Sequence, residues 1–310
     1  MAIQWFPGHM HSTRKAIAQR CQAGIDGVIE LLDARLPGAS ANPLLAALTA
    51  GKPALKLLNK ADLADPHRTA LWLDHYNAQP GTRAIPLDAS APASLTTLTT
   101  LVALCRTLAP LRGGMTKPLR LLICGIPNVG KSTLINRLVG KKAAKTGDEA
   151  GITKEEQYIV LASDVYLYDT PGMLWPKISV PRSGYHLAAS GAIGRNAYDE
   201  QEVAFELLAA LQPAYADRIE ARYRLAGVAA LATDALLPAI ARQRGLVQAG
   251  GRLNLQKAAE VVLNDFRAGL LGRITLETPD EHAAWLSEAL AAEAALDAAR
   301  LDKKTRRTAR

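Results

Sequence analysis

The sequence has few aromatic residues, few cysteines and no long apolar run. Aromatic side chains make up 5 % of the 310 residues, and the three cysteines are Cys21, Cys105 and Cys124. Their spacing fits no metal site, so we expect buried free thiols rather than a metal or redox centre. No apolar run approaches the ~18 residues of a membrane span, and no basic head precedes an apolar segment at the N-terminus. We therefore expect a cytoplasmic protein.

Positive charge is what the sequence has in excess. Lys and Arg number 37 against 29 Asp and Glu, which gives a net charge of +8. A basic protein of ordinary hydrophobic content commonly binds polyanions, nucleic acid above all. Residues 300–310 carry six bases and one acid. This tail is equally consistent with a solvated, frayed terminus.

Apolar segments alternate with helical patterns as far as residue 170, which predicts a largely parallel α/β sheet. The predicted strands are residues 27–32, 53–58, 83–87, 119–124, 157–161 and 165–168. The predicted helices between them are 12–23, 41–50, 66–78, 93–108 and 131–139. The last two strands are too close in sequence for a parallel crossover, so they should form an antiparallel hairpin. After a linker at 175–183, helices are predicted near 184–193, 199–210, 216–224, 233–242, 254–267 and 279–299.

One motif combines glycines, a lysine and a serine in the order that phosphate binding requires. Gly125-Ile-Pro-Asn-Val-Gly-Lys-Ser132 follows a predicted strand and opens a predicted helix, as a P-loop does. Its glycines let the backbone N–H groups surround a phosphate, Lys131 reaches the β- and γ-oxygens, and the Ser132 hydroxyl can ligate Mg²⁺. The nucleotide-binding residues predicted here are Asn128, Val129, Gly130, Lys131, Ser132 and Thr133.

Two further motifs fit the γ-phosphate and Mg²⁺. Asp169-Thr-Pro-Gly172 ends the strand 165–168, where Asp169 can hold Mg²⁺ through water and the Gly172 N–H can meet the γ-phosphate. Thr153 lies between this motif and the P-loop. A threonine there can close onto Mg²⁺ when a γ-phosphate is present.

A guanine-reading motif follows the second predicted strand. In Asn59-Lys60-Ala-Asp62, Asp62 can accept both the ring N–H and the exocyclic amine of guanine, a pair of donors that adenine lacks. Asn59 holds the oxygen side of the base, and the Lys60 stem packs on its face. Ser90 and Ala91, after the next strand, suit a loop whose backbone contacts the guanine oxygen.

The parts of a GTPase are all present, but the guanine motifs precede the phosphate motifs. This order resembles that of the circularly permuted GTPases. With the segment Ile3-Gln-Trp-Phe-Pro-Gly-His-Met10, the chain further resembles the YlqF/RbgA family of bacterial large-ribosomal-subunit assembly GTPases, from the N-terminus to about residue 277. Other matching segments are 32–37, 42–43, 140–147, 170–177 and 265–272. The sequence departs from the family pattern at Ala150 and at Ile178-Ser-Val-Pro181.

The resemblance implies a fold and a division of the chain. Residues 1–178 should form a circularly permuted Ras-like P-loop GTPase domain, an α/β fold with a six-stranded, mostly parallel sheet in the order 5-6-4-1-2-3. Residues 179–299 should form a linker and a small all-α domain that binds RNA or the ribosome, and residues 300–310 a basic tail. The resemblance also implies that the chain is a monomer. Its implied partners are GTP or GDP and the large ribosomal subunit, with its rRNA and ribosomal proteins.

The residue that activates water is not the usual one. Many GTPases carry a glutamine directly after the DxxG motif, but here that position is Met173, whose thioether cannot orient a water. The resemblance assigns the orientation of water to His9. We therefore predict His9 and Lys131 as the catalytic residues. A histidine near its normal pKa can accept a proton at neutral pH. The alternative is that His9 is merely exposed or faces RNA.

Two other features stay open at this level. Asn128 corresponds to the asparagine with which potassium-activated GTPases hold K⁺ beside the phosphates, or it is a loop asparagine that tolerates unusual dihedral angles. Asp33 and Arg35, after the first strand, either orient a neighbouring loop or pair on the surface.

The predicted function is therefore a GTP-hydrolysing assembly factor for the large ribosomal subunit, bound in the GTP state and released on hydrolysis. We expect Mg²⁺ and K⁺ as cofactors and stimulation by the subunit. Two alternatives remain: a permuted GTPase that acts on another RNA or on the small subunit, and an RNA-binding module that keeps nucleotide as a structural ligand.

Basic residues continue through the helical half of the chain. Arg218 and Arg222 are four apart on a predicted helix and should share one face. Such a face can contact phosphates without reading sequence. The further basic residues of this region are Arg224, Arg242, Arg244, Arg252, Lys257, Arg267 and Arg273. The alternative is a merely solubilising surface.

Overall fold

A six-stranded sheet forms the centre of the N-terminal half. The computed structural model describes residues 3, 5, 8–91, 95–109, 118–139 and 158–308. The strands are β1 (Gly27–Asp33), β2 (Ala54–Asn59), β3 (Thr82–Pro86), β4 (Leu119–Gly125), β5 (Ile159–Ala162) and β6 (Val165–Asp169). Their order is β3-β2-β1-β4-β6-β5, and only β5 runs antiparallel to its neighbour. The predicted strand order and the antiparallel hairpin are both confirmed.

Helices cover this sheet. They are α1 (His9–Gln22), α2 (Pro37–Ser40), α3 (Pro43–Leu48), α4 (Pro66–Asn77), α5 (Leu95–Leu108) and α6 (Lys131–Val139). Strand β1 is buried along its whole length, as expected of a parallel strand with both faces covered. The predicted helix 41–50 is the shorter α3, and the short helix α2 before it was not predicted. Helix α3 begins after Asn42 because the Asn42 side chain caps it by accepting from Leu44 N and Leu45 N, and Pro43 occupies the first helical position.

The C-terminal half is helical, as predicted. Its helices are α7 (Pro181–Ser190), α8 (Glu200–Tyr223), α9 (Thr233–Gln243), α10 (Leu255–Arg267) and α11 (Pro279–Thr308). The two helices predicted at 199–210 and 216–224 are joined as α8, which contains Pro213 and is kinked at Tyr215, where φ is −138° and ψ is 31°. Helix α11 continues into the basic tail as far as Thr308. No helix in the described ranges is long and apolar enough to cross a bilayer.

A continuous hydrophobic core joins the sheet to the C-terminal helices. One cluster of buried side chains includes Ile29 and Ile123 of the sheet together with Leu208 and Val262 of the helical half. Ion pairs and hydrogen bonds reinforce the junction. The buried Glu277 carboxylate accepts from the Ala39 N–H at 2.6 Å and contacts His186 Nδ1 at 3.0 Å. The boundary between residues 178 and 179 stays a prediction.

Candidate nucleotide site

The loops that carry the predicted motifs meet at one edge of the sheet. Strands β1, β2, β4 and β6 are parallel, so their carboxyl ends lie side by side. The P-loop leaves β4 and enters α6. Asn128 (φ 57°) and Gly130 (φ 101°) take left-handed conformations in it. Alternation of left- and right-handed residues turns successive backbone N–H groups toward a common point, which is the anion-binding geometry of a P-loop.

The first turn of α6 presents the phosphate- and metal-binding groups. Lys131 is buried, and its Nζ forms an ion pair with the Asp169 carboxylate at the end of β6. Ser132 and Thr133 follow it and are exposed. Residues from two separate motifs, the P-loop and the segment after β6, are therefore in direct contact.

Asn59 connects the guanine motif to the P-loop. Its Nδ2 donates to Val129 O at 2.7 Å, and its Oδ1 accepts from Ala89 N at 2.8 Å. The side chain thus joins the loops after β2, β3 and β4. Lys60, with φ 62°, adds a second bond between motifs, because its Nζ donates to Asn128 O at 3.1 Å. The circular permutation leaves the spatial association of the two motifs intact.

The remaining guanine-side residues border the same loops. Asp62 is exposed in the turn between β2 and α4. The N–H groups of Ser90 and Ala91 both donate to Asp88 Oδ1, at 2.7 and 3.1 Å. Although partial burial raises the pKa of Asp88, these hydrogen bonds bring it below its ordinary value. Asp88 therefore organises the loop predicted to contact the guanine oxygen, a role that the sequence analysis missed.

Asp33 and Arg35 are not on the surface, so that alternative was wrong. Their side chains are 1 % and 2 % exposed, and they form a bidentate pair at 2.8 and 2.9 Å. Asp33 also binds Lys60 Nζ at 2.7 Å. Burial raises the pKa of Asp33, but Arg35 and Lys60 outweigh burial and hold this pKa well below its usual range. Because Arg35 also donates to Phe266 O at 3.1 Å, the pair links the guanine motif to α10.

The segment after β6 lies against the P-loop. Gly172 is so close that a Cβ there would lie 2.9 Å from Pro127 Cα. Met173 is fully buried, its N–H donates to Gly125 O at 3.1 Å, and its carbonyl accepts from Asn42 Nδ2 at 2.7 Å. Burial confirms that this side chain is a packing residue. Thr153 lies outside the described residues, as does Ala150.

The comparisons with known proteins agree with this geometry. A family described as 50S ribosome-binding GTPase matches residues 120–216. Ribosome biogenesis GTPase A of Bacillus cereus is 40 % identical over 288 residues, which cover 91 % of this chain and 95 % of that protein. The Priestia megaterium protein of the same name is 41 % identical over 91 % of this chain and 98 % of that protein. The chain belongs to the ribosome biogenesis GTPase A family.

Solved structures extend the comparison to the fold. The GNP-bound YlqF from T. maritima matches with a TM-score of 0.58 and 25 % identity over 86 % of this chain and 98 % of that chain. A GDP-bound YlqF structure matches with a TM-score of 0.59 and 26 % identity over 84 % of this chain and 98 % of that chain. The fold is therefore the circularly permuted GTPase fold of this family.

Members of a GTPase family generally use Mg²⁺, and the residues here fit that ion. Mg²⁺ prefers hard oxygen ligands and retains several waters. The exposed hydroxyl of Ser132 and the carboxylate of Asp169 supply such oxygens beside the P-loop. Within the described ranges no three His, Cys, Asp or Glu side chains form a metal-binding group.

The structure also places the backbone of His9 and a side-chain contact of Asn128. His9 is the first residue of α1, three residues earlier than the predicted start of that helix. Asn128 Nδ2 donates to Gly191 O at 2.7 Å, at the end of α7. The P-loop is thereby hydrogen-bonded to the helical half of the chain.

The family segment 265–272 holds elements together. Asp265 binds the Arg222 guanidinium at 2.7 and 2.9 Å, and Phe266 O accepts from Arg35. Arg267 donates to two carbonyls at the end of α7, at 2.8 and 2.9 Å. Arg222, predicted to share a phosphate-contacting face with Arg218, therefore also connects elements within the chain. Its guanidinium has an internal partner, and such pairing keeps a partly buried charge from being isolated.

Proposed function

We propose that this member of the ribosome biogenesis GTPase A family hydrolyses GTP to promote assembly of the large ribosomal subunit in the cytoplasm. The observation that carries the proposal is the bond from Asn59 to Val129 O, which joins a guanine motif to a P-loop in permuted order. The names of the relatives, ribosome biogenesis GTPase A, support the same assignment.

At the phosphate end, the backbone N–H groups of the P-loop and the start of α6 bind the phosphate oxygens. Lys131 exchanges its ion pair with Asp169 for one with the β- and γ-phosphates. This exchange would free the Asp169 carboxylate to hold a Mg²⁺ ion through water. Ser132 and Thr153 would be the direct ligands of that ion, which would supply positive charge beside the phosphates. The residues of this half are Asn128, Val129, Gly130, Lys131, Ser132, Thr133, Thr153, Asp169 and Gly172.

At the base end, the Asp62 carboxylate accepts two hydrogen bonds from guanine. The Lys60 stem packs on the ring while its Nζ remains bonded to Asp33 and Asn128 O. Asn59 contributes chiefly by holding the loop of Ser90 and Ala91 against the P-loop. Specificity for guanine over adenine follows because adenine does not offer Asp62 the matching pair of N–H donors.

Water activation falls to His9. The position after Gly172 cannot serve, because Met173 is fully buried and carries no proton acceptor of suitable strength. His9 opens α1, so its orientation responds to whatever contacts the N-terminal segment. Stimulation by the ribosomal subunit follows from this arrangement if docking places the imidazole beside the attacking water.

The Asn128 side chain supports a K⁺ site. Its Nδ2 donates to Gly191 O, which fixes the plane of the amide. The Oδ1 of the same amide is the oxygen that would ligate K⁺ beside the β–γ bridge. The charge of K⁺ there would stabilise the transition state as an arginine finger does.

The test is GTP hydrolysis by the full chain, alone and with purified large subunits, in K⁺ and in Na⁺. We expect turnover that large subunits stimulate and small subunits do not, with faster hydrolysis in K⁺. Asn128→Ala should remove the difference between the two salts. Nucleotide that binds without turnover in all four conditions would refute the proposed GTPase function, and equal rates in both salts would refute the K⁺ site.

A further inference from the structure

The β5–β6 hairpin carries a pair of aromatic side chains at the edge of the sheet. Tyr158 and Tyr166 are stacked, with ring centroids 4.6 Å apart and an angle of 24° between the ring planes. Tyr158 is 44 % exposed, and Val160, two residues later, is 54 % exposed. Tyr166 is half-buried and packs against the core, so the exposed Tyr158 ring is stacked on a fixed support.

Strand register places these side chains on one face. Val160 and Arg120 are the direct cross-strand partners of Tyr166, on β5 and β4 respectively. Directly opposed residues share a face, as do residues two apart on one strand. Tyr158, Val160, Tyr166 and Arg120 therefore form one continuous surface at the sheet edge, which we call the tyrosine platform.

The platform is bordered by positive charge. The Arg120 side chain is exposed, and the backbone N–H of Arg120 donates to Asp26 Oδ2 at 3.0 Å. Tyr168, two residues after Tyr166 on β6, is buried on the same face, and the Arg20 guanidinium of α1 lies 4.3 Å from the centroid of its ring. The acidic residue in the hairpin turn, Asp164, is paired with Arg106 at 2.5 Å. Among the described residues, two arginines and one carboxylate, that of Asp26, therefore border the platform, and this local excess of positive charge favours an anion.

We propose that the tyrosine platform is an RNA-binding surface that stacks an unpaired base of the ribosomal RNA on Tyr158 and Tyr166 while Arg120 contacts the adjoining phosphate. Unpaired bases are commonly recognised by aromatic side chains presented on a sheet and flanked by basic residues. Stacking requires only a π face, so the surface binds with little sequence preference. The inference deepens the proposed function by naming a contact with RNA that lies outside the nucleotide site.

Charge and ring geometry favour RNA over a protein partner. A stacked base requires the flat π surface, and its phosphate requires the cation, whereas an apolar protein surface has no need of Arg120. Because tyrosine and arginine also occur in protein interfaces, the test measures binding of RNA itself.

The test uses the full chain with GDP and a fluorescein-labelled 12-nucleotide oligoadenylate, and it measures anisotropy at low salt. Tyr158→Phe should bind within twofold of the unmodified protein. Tyr158→Leu should bind about tenfold more weakly, the usual scale for one lost base–aromatic contact. Arg120→Gln should reduce the slope of log K against log salt by about one. Basal GTP hydrolysis should be unchanged in all three variants, which reports that they are folded.

Equal binding by the leucine and phenylalanine variants, or no saturable binding of the oligonucleotide, would contradict the proposed RNA-binding role of the tyrosine platform. Cosedimentation with large subunits, run in parallel, keeps this result separate from the proposed function. If all variants cosediment as the unmodified chain does, the platform is wrong and the assembly function stands. If the unmodified chain fails to cosediment, the proposed assembly function is wrong. The oligonucleotide result then still shows whether the tyrosine platform binds RNA.

Discussion

Gly130 has no room for a side chain between the two halves of the nucleotide site. Its φ of 101° is strained for other residues, at a cost of about 1–2 kcal/mol, and a Cβ there would overlap Asn59 Nδ2. Gly130→Ala should therefore displace Asn59 from Val129 and weaken GTP binding at least tenfold, as measured by calorimetry. Gly227→Ala is the matched control, because φ there is 67° and no atom lies within 4 Å of the added Cβ. Similar GTP affinities for the two variants would contradict the prediction.

Asp62 should determine the choice of base. Asp62→Asn replaces a double acceptor by an amide that also donates, so GTP binding should weaken and xanthosine triphosphate binding should improve. Competition between the two nucleotides measures the change. The assignment also requires that the unmodified protein prefer GTP to ATP, and equal affinity for both would show that residues 59–62 do not read the base.

His9 should affect the chemical step and not binding. His9→Ala should lower kcat by about 10²-fold, the usual scale for a positioned proton acceptor, with GTP affinity almost unchanged. Single-turnover hydrolysis in the presence of large subunits is the measurement. His11, exposed one half-turn further along α1, offers a control through His11→Ala. Unaltered stimulated turnover in His9→Ala would remove this residue from the mechanism.

The sequence predicts residue types at the site better than it predicts their partners. The GxxxxGK[ST] and NKxD patterns are local, so their loops could be placed from sequence alone. Arg35 is different, because the Phe266 carbonyl that it binds is 231 positions away in the chain. A contact of that separation depends on the packing of α10 against the sheet, and no local pattern encodes it.

At the scale of elements, Glu277 joins α2, α7 and the start of α11. Burial raises the pKa of this carboxyl, but hydrogen bonds from His186 and Ala39 N, with nearby positive charge, bring it below its ordinary value. A depressed carboxyl pKa stabilises the fold above the unfolded pKa, and that stability is lost as pH falls through the folded value.

Glu277→Gln should consequently lower the free energy of unfolding by about 2 kcal/mol or more near neutral pH, because it removes a buried carboxylate charge that is hydrogen-bonded within the protein. The difference from the unmodified protein should shrink as pH falls below about 4.5. Urea unfolding at a series of pH values measures both. Glu288→Gln, a carboxyl on the exposed side of α11, is the control. A difference that is constant with pH would show that the charge of Glu277 is irrelevant.

Element types were predictable because strand and helix patterns are local, whereas the joints between elements were not. The predicted gap between the helices at 199–210 and 216–224 is a kink in α8 at Tyr215, where the backbone is not helical. The Tyr215 hydroxyl lies 3.1 Å from Asp65 Oδ2 and 3.2 Å from Thr275 O, contacts with distant residues that no local pattern encodes. In the segment predicted as a linker before α7, Ile178 and Val180 are buried, and their burial likewise depends on tertiary packing.

For the molecule as a whole, the net charge of +8 overstates the surface available to RNA. Arg222 is paired with Asp265, Arg267 binds carbonyls of α7, and Arg273 donates to Ala61 O and Ala64 O. These guanidinium groups connect elements. Exposed basic side chains such as those of Arg242 and Arg252 are better placed for phosphate contacts. RNA affinity should therefore depend on a subset of the cations, together with the tail.

The basic tail provides the sharpest test of how the whole molecule holds the ribosomal subunit. Deleting residues 300–310 removes six basic residues and shortens α11, whose backbone is helical as far as Thr308. Each phosphate contact that is lost should reduce the slope of log K against log salt by about 0.7–0.9. The measurement is binding of the protein, loaded with a non-hydrolysable GTP analogue, to large subunits between 50 and 200 mM salt, where we expect tighter binding than with GDP. Intrinsic GTP hydrolysis should not change, because no nucleotide motif lies in the tail. An unchanged slope would mean that the nucleotide-binding half or protein contacts carry the association, and a lower hydrolysis rate would mean that the shortened α11 disturbs the fold.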